Sequence, residues 1–141
     1  MNELTQLAAA AAKTHGLDPV LVCAVCEQES GWEPWSIRFE PAFKTRYVDP
    51  LGLTDTESFA RSFSWGLMQL MGQVARELGF QGHLASLCDP ATGLEWGCKL
   101  LINKLKDVNG DVHMGLQRWN GGGNPNYADQ VIARMPKYAG V

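Results

Sequence analysis

Residues 18–30 read DPVLVCAVCEQES, and this stretch decides the fold class of the chain. Aspartate followed by proline is typical of a helix start, because Asp18 can accept from free backbone N–H groups and Pro19 has no N–H to leave unpaired. Four later residues recur at helical spacing on one face: Val22, Val25, Cys26 and Glu29. The pattern predicts a helix that is buried along this face and ends at about Ser30.

Helical patterns also dominate the rest of the chain. We predict further helices over residues 4–13, 58–61, 66–78, 90–107, 111–119 and 125–135. Thr54 with Glu57, and Asn124, are predicted to cap two of them. Residues 31–54 lack helical periodicity and contain three prolines, so we interpret them as a surface excursion with at most a short extended piece within residues 39–48. The predicted fold class is therefore all-α (mainly helical), with a long insertion after the second helix.

The composition predicts one soluble globular domain over residues 1–141. Hydrophobic residues make up 45% and charged residues 19% of the chain, as in ordinary globular proteins. A net charge of −3 provides no broad cationic field, so we expect no nucleic-acid partner. No apolar run is long enough to cross a bilayer, so we expect no membrane insertion, and we expect a monomer.

The chain has four cysteines, whose roles the sequence leaves partly open: Cys23, Cys26, Cys88 and Cys98. The first two form a C-x-x-C pair, but their helical context argues against a thioredoxin-type redox site. A zinc site would need a second pair at similar spacing, and the last two lie ten residues apart without nearby histidines. We expect small buried side chains and no bound metal. A disulfide between the last two stays open.

Glu29 is the candidate for acid chemistry. A carboxyl group that closes an apolar helix face is partly desolvated, which raises its pKa. A carboxylic acid that stays protonated near neutral pH is what cleavage of a glycosidic bond requires. The alternative is a solvated carboxylate on the last helical turn.

Three further segments carry candidate binding groups. Residues 64–70 read SWGLMQL, where Gly66 allows close backbone approach and Gln69 offers a donor and an acceptor. Residues 118–123 read RWNGGG, which places an aromatic ring and an amide beside three glycines. Tyr127 lies early in the predicted last helix. Each segment also has a purely structural explanation, as core, helix-ending turn or packing residue.

In this order, the motifs resemble those of the lytic transglycosylase and goose-type lysozyme family. The family pattern is Glu-Ser, then Gly-Leu-Met-Gln, then aromatic-Asn-x-Gly, then a tyrosine on the last helix. Here the pattern reads Glu29-Ser30, Gly66-Leu67-Met68-Gln69, Trp119-Asn120-Gly121-Gly122 and Tyr127. The resemblance covers roughly residues 17–138. It implies a lysozyme-like α-fold that cleaves the β-1,4 bond between N-acetylmuramic acid and N-acetylglucosamine in peptidoglycan glycan strands, without a cofactor.

The resemblance also implies roles for individual residues. Glu29 would be the catalytic acid and later the base, and Tyr127 would hold it in place. Ser30 and Asn120 would position the N-acetyl group of the sugar. The side chains implied to line the cleft near the cleaved bond are Met68 and Gln69. Trp119 departs from the usual tyrosine of the family, since it keeps a stacking face but loses the hydroxyl.

The choice between lyase and hydrolase depends on a second carboxylate. A hydrolase needs one as base or nucleophile. In lytic transglycosylases the substrate's N-acetyl oxygen assists, and the muramic acid C6 hydroxyl closes a 1,6-anhydro ring. Goose-type members carry aspartates just before Gly-Leu-Met-Gln, whereas residues 61–65 here contain no acid, which favours the lyase. A hydrolase would use Glu40, which lies between Phe39, Pro41 and Phe43 in sequence.

Two further alternatives stay open. The domain could bind peptidoglycan without cleaving it, or serve as a structural part of a larger assembly. The aromatic and charged residues of the insertion could form a cleft wall or lid, or they could pack among themselves.

The expected route to the substrate follows from the N-terminal sequence. Residues 1–6 lack a basic region, and residues 8–12 are a weak hydrophobic core, so we expect no signal peptide. We expect a protein made in the cytoplasm that reaches the cell wall or periplasm by another route. A phage lysin released through a holin pore, a virion component or a secreted cargo would fit.

Overall fold

The computed structural model describes residues 2–141, and this part of the chain is mostly helical. Its helices are α1 (Glu3–Thr14), α2 (Pro19–Ser30), α3 (Pro41–Phe43), α4 (Asp55–Arg61), α5 (Gly72–Glu77), α6 (Pro90–Lys106), α7 (Val112–Asn120) and α8 (Tyr127–Arg134). Three short strands, β1 (Ile37–Phe39), β2 (Phe63–Trp65) and β3 (Leu70–Met71), form an antiparallel sheet in this order. The mainly helical fold class is confirmed. Within residues 2–141, no helix is long and apolar enough to cross a membrane.

Helix α2 forms the centre of the helical body. Its start is as predicted, because Asp18 Oδ1 accepts from the Val20 N–H at 2.9 Å and Pro19 occupies the first turn. Residues 21–26 are all buried, and the helix packs against α1 and α8. It ends at Gly31, whose φ of 59° is left-handed. The last turn of α2, which carries Glu29, therefore emerges from the main core.

The prediction of one helix over residues 66–78 is wrong in its first half. Residues 63–71 form β2, a tight turn and β3, and only residues 72–77 are helical. Gly66 has φ 76° and Gln69 has φ 52°, so two left-handed residues interrupt any helix there. An added Cβ at Gly66 would lie 2.4 Å from the Leu87 carbonyl oxygen. The apolar residues between them have helical spacing, but close packing of the backbone decides the conformation.

The insertion after α2 is more ordered than its sequence indicates. Strand β1 pairs with β2 in the register Ile37↔Trp65 and Phe39↔Phe63. Residues 41–51 are not extended, since they form α3, a π-helical turn (Lys44–Val48) and a 3₁₀ turn (Asp49–Leu51). Such short turns leave no periodicity to detect. The insertion thus builds one edge of the sheet.

Two predicted caps do not form. Thr54 makes no side-chain cap at the start of α4, and Glu57 pairs with Arg61 and Arg76 instead. Asn124 accepts from the Asn126 N–H at 3.0 Å within a turn, and α8 begins three residues later. Glu57 and Asn124 thus bond to groups other than the helix starts that they were predicted to cap.

The buried side chains form two clusters. The larger cluster joins α1, α2, α6, α7 and α8, and includes Leu21, Val25, Leu101 and Leu116. The smaller cluster lies beside the sheet around Trp65 and contains residues from β3, α5 and the 3₁₀ turn Leu84–Cys88. The fold therefore has a helical body and a smaller sheet lobe.

All four cysteines are free and buried. Burial raises the pKa of Cys23 to about 11 and that of Cys98 to about 12, and it also raises the pKa of Cys26. These thiols stay protonated and lack the depressed pKa that a redox site needs. The open Cys88–Cys98 disulfide is not formed.

Candidate active site

Glu29 lies where three helices meet. From α8, the Tyr127 hydroxyl donates to Glu29 Oε2 at 2.7 Å, and from α7 the Trp119 indole N–H donates to the same oxygen at 3.1 Å. Tyr127 is only 3% exposed, whereas Glu29 is half-buried. Two donors therefore hold one oxygen of the carboxyl group, while Glu29 as a residue stays partly accessible.

The environment raises the pKa of Glu29 above its ordinary value. Desolvation is the largest cause, and it outweighs the two hydrogen bonds and the positive charge of Arg38, which all favour the carboxylate. Burial and the neighbouring Glu29 charge also raise the pKa of Tyr127. The tyrosine therefore stays protonated and can only donate toward Glu29.

Trp119 supplies a polar group at the position where the family motif has tyrosine. Trp119 lacks the tyrosine hydroxyl, so its indole N–H is the only polar group of the side chain. The indole N–H takes over hydrogen-bond donation toward Glu29, while the ring packs partly against the main core. An indole N–H donates only, so it cannot remove the proton from Glu29.

The polar side chains next to these residues bond within the protein. Ser30 Oγ donates to the Cys26 carbonyl oxygen at 3.0 Å, one turn back in α2. With its amide oxygen facing the donors, Asn120 accepts from the N–H groups of Gly123 and Asn124 at 3.0 and 2.8 Å. Asn120 thereby closes the glycine-rich turn after α7. The roles of Ser30 and Asn120 toward an N-acetyl group stay predictions.

The Gly66–Gln69 turn ties the sheet lobe to the insertion. The Gly66 N–H and Gln69 Nε2 both donate to the Ser36 carbonyl oxygen, at 2.8 and 3.0 Å. Gln69 Nε2 also donates to the Gly66 carbonyl oxygen at 2.9 Å. This fixes residue 36, seven residues after Glu29, to the motif that sequence analysis assigned to the cleft.

Met68 lies in the main core, not on a cleft surface. It is 1% exposed, and an added Cβ at Gly97 of α6 would lie 2.4 Å from its sulfur atom. The glycine leaves a slot that the flexible thioether fills. The expected cleft-lining role of Met68 is corrected to packing beneath the turn.

Glu40 is paired with a cation and not enclosed by its aromatic neighbours. Arg38 Nε lies 3.1 Å from Glu40 Oε1, and the two side chains are 75% and 34% exposed. Phe39 packs on Phe63 at 5.3 Å and Phe43 packs on Tyr47 at 5.0 Å between ring centroids. A base role for Glu40 stays a prediction.

Sequence reasoning missed a second carboxylate centre two residues before Glu29. Glu27 accepts from Arg134, Lys137 and Tyr138. Desolvation raises its pKa, but the hydrogen bonds from Lys137, Tyr138 and Arg134 outweigh it and lower the pKa to about 2. No local signal could have identified this cluster, because the three residues that bind Glu27 lie more than 100 residues after it in the chain. The influence of the Arg38 charge on the Glu29 pKa was likewise not predicted, since it depends on the folded structure.

The comparison with protein families identifies the family of the chain. The model of the "Transglycosylase SLT domain" matches residues 6–134. The chain belongs to this family. The match includes Glu29, both of its donors and the Gly66–Gln69 turn. No solved structure was found to match the chain.

Membership makes the chain a peptidoglycan transglycosylase, an enzyme of cell-wall degradation. Its substrate is peptidoglycan. Within residues 2–141, no three or more His, Cys, Asp or Glu side chains come together as a metal site would require.

Proposed function

We propose that this transglycosylase cleaves the β-1,4 bond between N-acetylmuramic acid and N-acetylglucosamine and leaves 1,6-anhydromuramic acid ends. Glu29 would act first as acid and then as base. The observation that carries the proposal is the Glu29 carboxyl group, whose pKa burial raises and whose Oε2 atom accepts from both Tyr127 and Trp119. The lack of an acid in residues 61–65, where goose-type lysozymes carry aspartates, favours the lyase.

The hydrogen bonds around Glu29 assign its two oxygens different tasks. Both donors act on Oε2, so this atom is the acceptor oxygen of the protonated group and Oε1 carries the acidic proton. In the first step Oε1–H protonates the glycosidic oxygen as the bond from muramic acid C1 breaks. The N-acetyl oxygen of the same sugar supports C1 from the other side. The N-acetylglucosamine end leaves as an alcohol.

The second step returns the proton to Glu29. The carboxylate is stabilised by Tyr127 and Trp119, which bind the charged form more strongly than the neutral one. It accepts the proton of the muramic acid C6 hydroxyl while O6 bonds to C1 and displaces the N-acetyl oxygen. Glu29 is protonated again, and no water is consumed.

Mass spectrometry of muropeptides released from bare peptidoglycan tests this reaction. We expect muramic acid ends that lack one water and resist borohydride reduction. Reducing ends would contradict the lyase and would indicate hydrolysis, with Glu40 as the next residue to replace. No released product would leave a domain that binds peptidoglycan without cleaving it and would contradict the proposal.

A further inference from the structure

One aromatic residue of the insertion is left without an aromatic partner. Within residues 31–54, all of which the structure describes, Trp32, Phe39, Phe43 and Tyr47 each pack against another ring. Trp35 does not, and it is 74% exposed. Such a ring, exposed and without an aromatic partner in the chain, is free to stack on a ligand.

The backbone on both sides of Trp35 is fixed. Glu33 N–H donates to the Ser30 carbonyl oxygen at 3.1 Å, and Ser36 N–H donates to the Glu33 carbonyl oxygen at 3.2 Å. Trp35 N–H itself donates to Glu33 Oε1 at 3.1 Å. Ser36 is held in turn by the Gly66–Gln69 turn. A ring on such a rigid segment loses little conformational entropy when it binds a ligand.

This segment borders the proposed active site. Trp35 follows Glu29 by six residues, a path of at most about 20 Å even if fully extended. Arg38, three residues further on, lies close enough for its charge to act on Glu29. The segment between α2 and β1, residues 31–36, which we call the rim, therefore joins the end of the helix that carries Glu29 to the strand that carries Arg38.

The charges of the insertion select the kind of partner. Its cations each lie against an anion or a ring: Arg38 against Glu40, Lys44 against Asp49, and Arg46 against Tyr47. Arg61, at the end of α4, pairs with Glu57. No cluster of free cations among residues 31–62, all within the described chain, would hold an anionic membrane. A polymer of sugar rings, whose C–H faces are apolar, fits an exposed indole better.

From these observations, and resting on the proposed function, we propose that Trp35 stacks on a sugar ring of the glycan strand at a site remote from the cleaved bond. The ring would hold a long strand across the rim while Glu29 acts on the linkage. Trp35 would thus make the enzyme select extended glycan strands over short fragments.

The test compares binding by variants that cannot cleave. In the Glu29→Gln background, binding to glycan strands freed of stem peptides is measured for Trp35→Ala, Trp35→Phe and Met114→Ala. Met114 is the control, because it is 52% exposed on α7 and belongs to no part of the proposed site. We expect Trp35→Ala to weaken binding about tenfold, Trp35→Phe to retain most of it, and Met114→Ala to bind as the parent does.

Kinetics in the active background give a second readout. Trp35→Ala should raise KM on long strands about tenfold with kcat unchanged, and it should leave cleavage of the shortest accepted oligosaccharide unaffected. Binding and KM equal to those of the parent would overturn the proposal. The end group of the product does not enter either measurement, so reducing ends would overturn the proposed reaction and not the stacking role. Failure of the Glu29→Gln protein to bind any strand would overturn both.

Discussion

Glu27 and Glu29 are separated by a single residue in α2, yet the fold shifts their pKa values in opposite directions. Two cations and a tyrosine bind Glu27 and hold its pKa at about 2. Glu29 accepts hydrogen bonds from two neutral donors, and desolvation outweighs these bonds and the charge of Arg38, which raises its pKa. Enzymes commonly place two carboxyl groups in different surroundings, so that their pKa values differ and one can serve as an acid while the other stays ionised.

The assignment of Glu29 predicts a clear difference between two amide substitutions. Glu29→Gln keeps the size and polarity of the side chain but removes the transferable proton, so we expect cleavage to be lost, by a factor of at least about 10² to 10⁴. Glu40→Gln removes only the partner of Arg38 and should weaken cleavage modestly. Muropeptide release from purified peptidoglycan measures both. Substantial activity in Glu29→Gln would refute the assignment.

Removing a donor to Glu29 should change the pH dependence of cleavage. The Tyr127 hydroxyl favours the carboxylate, so Tyr127→Phe should raise the Glu29 pKa further. Glu29 then stays protonated to higher pH. The alkaline limb of the kcat/KM profile should therefore move to higher pH, while the maximum value of kcat/KM falls. Trp119→Phe should act in the same direction but less, because its bond is longer. A downward shift in either variant would contradict this arrangement.

At the scale of secondary-structure elements, the turn from Gly66 to Gln69 is the least predictable and the most constrained. Its apolar residues have the spacing of a helix, but two left-handed residues and the nearby Leu87 carbonyl group require a turn. The turn also provides both donors to Ser36. One short loop thus connects the sheet lobe to the insertion that follows the end of α2.

Two glycines with similar backbone angles allow a matched test of this constraint. Gly66 and Gly16 have φ of 76° and 71°, but an added Cβ would meet the Leu87 carbonyl oxygen at Gly66 and nothing within 4 Å at Gly16. Gly16→Ala should cost about 1 kcal/mol through backbone strain alone. Gly66→Ala adds a backbone clash and should cost about 3 kcal/mol or more. Denaturant unfolding compares them, and equal costs would show that the contact with Leu87 is unimportant.

At the scale of the whole molecule, long-range polar contacts close the helical body over α2. Arg134, Lys137 and Tyr138 all bind Glu27, and Tyr138 also accepts from the Trp32 indole N–H at 2.8 Å. Residues 134–138 are thereby attached to both sides of the end of α2. The same cluster immobilises the segment from which Glu29 projects.

The Glu27 cluster should contribute a pH-dependent part of the stability. Its folded pKa of about 2 lies below the ordinary value of 4.5, so the contribution is present above about pH 4.5 and is lost as the pH falls toward 2. Glu27→Gln should lower the free energy of unfolding by about 1–3 kcal/mol at neutral pH. In this variant the free energy of unfolding should also fall less steeply as the pH is lowered below about 4.5. Denaturant unfolding from pH 7 to pH 2.5 checks this, and an unchanged slope would contradict it.

The sequence by itself determined those features that neighbouring residues specify. Helical spacing and the Asp18–Pro19 start placed α2 correctly, and the long helix α6 was found within a residue of its ends. Glu29 stood out because an apolar face ends there. The order of the motifs identified the family that the match over residues 6–134 shows.

Tertiary structure alone decided what surrounds each of these residues. The donors to Glu29 come from 90 and 98 residues away, and the ligands of Glu27 from still further. Met68 packs in the core beside Gly97, which leaves room for its sulfur atom, whereas Trp35 lies on the surface. Local patterns fix dihedral angles over a few residues, whereas burial, pKa and hydrogen bonding depend on groups that only the folded chain brings together.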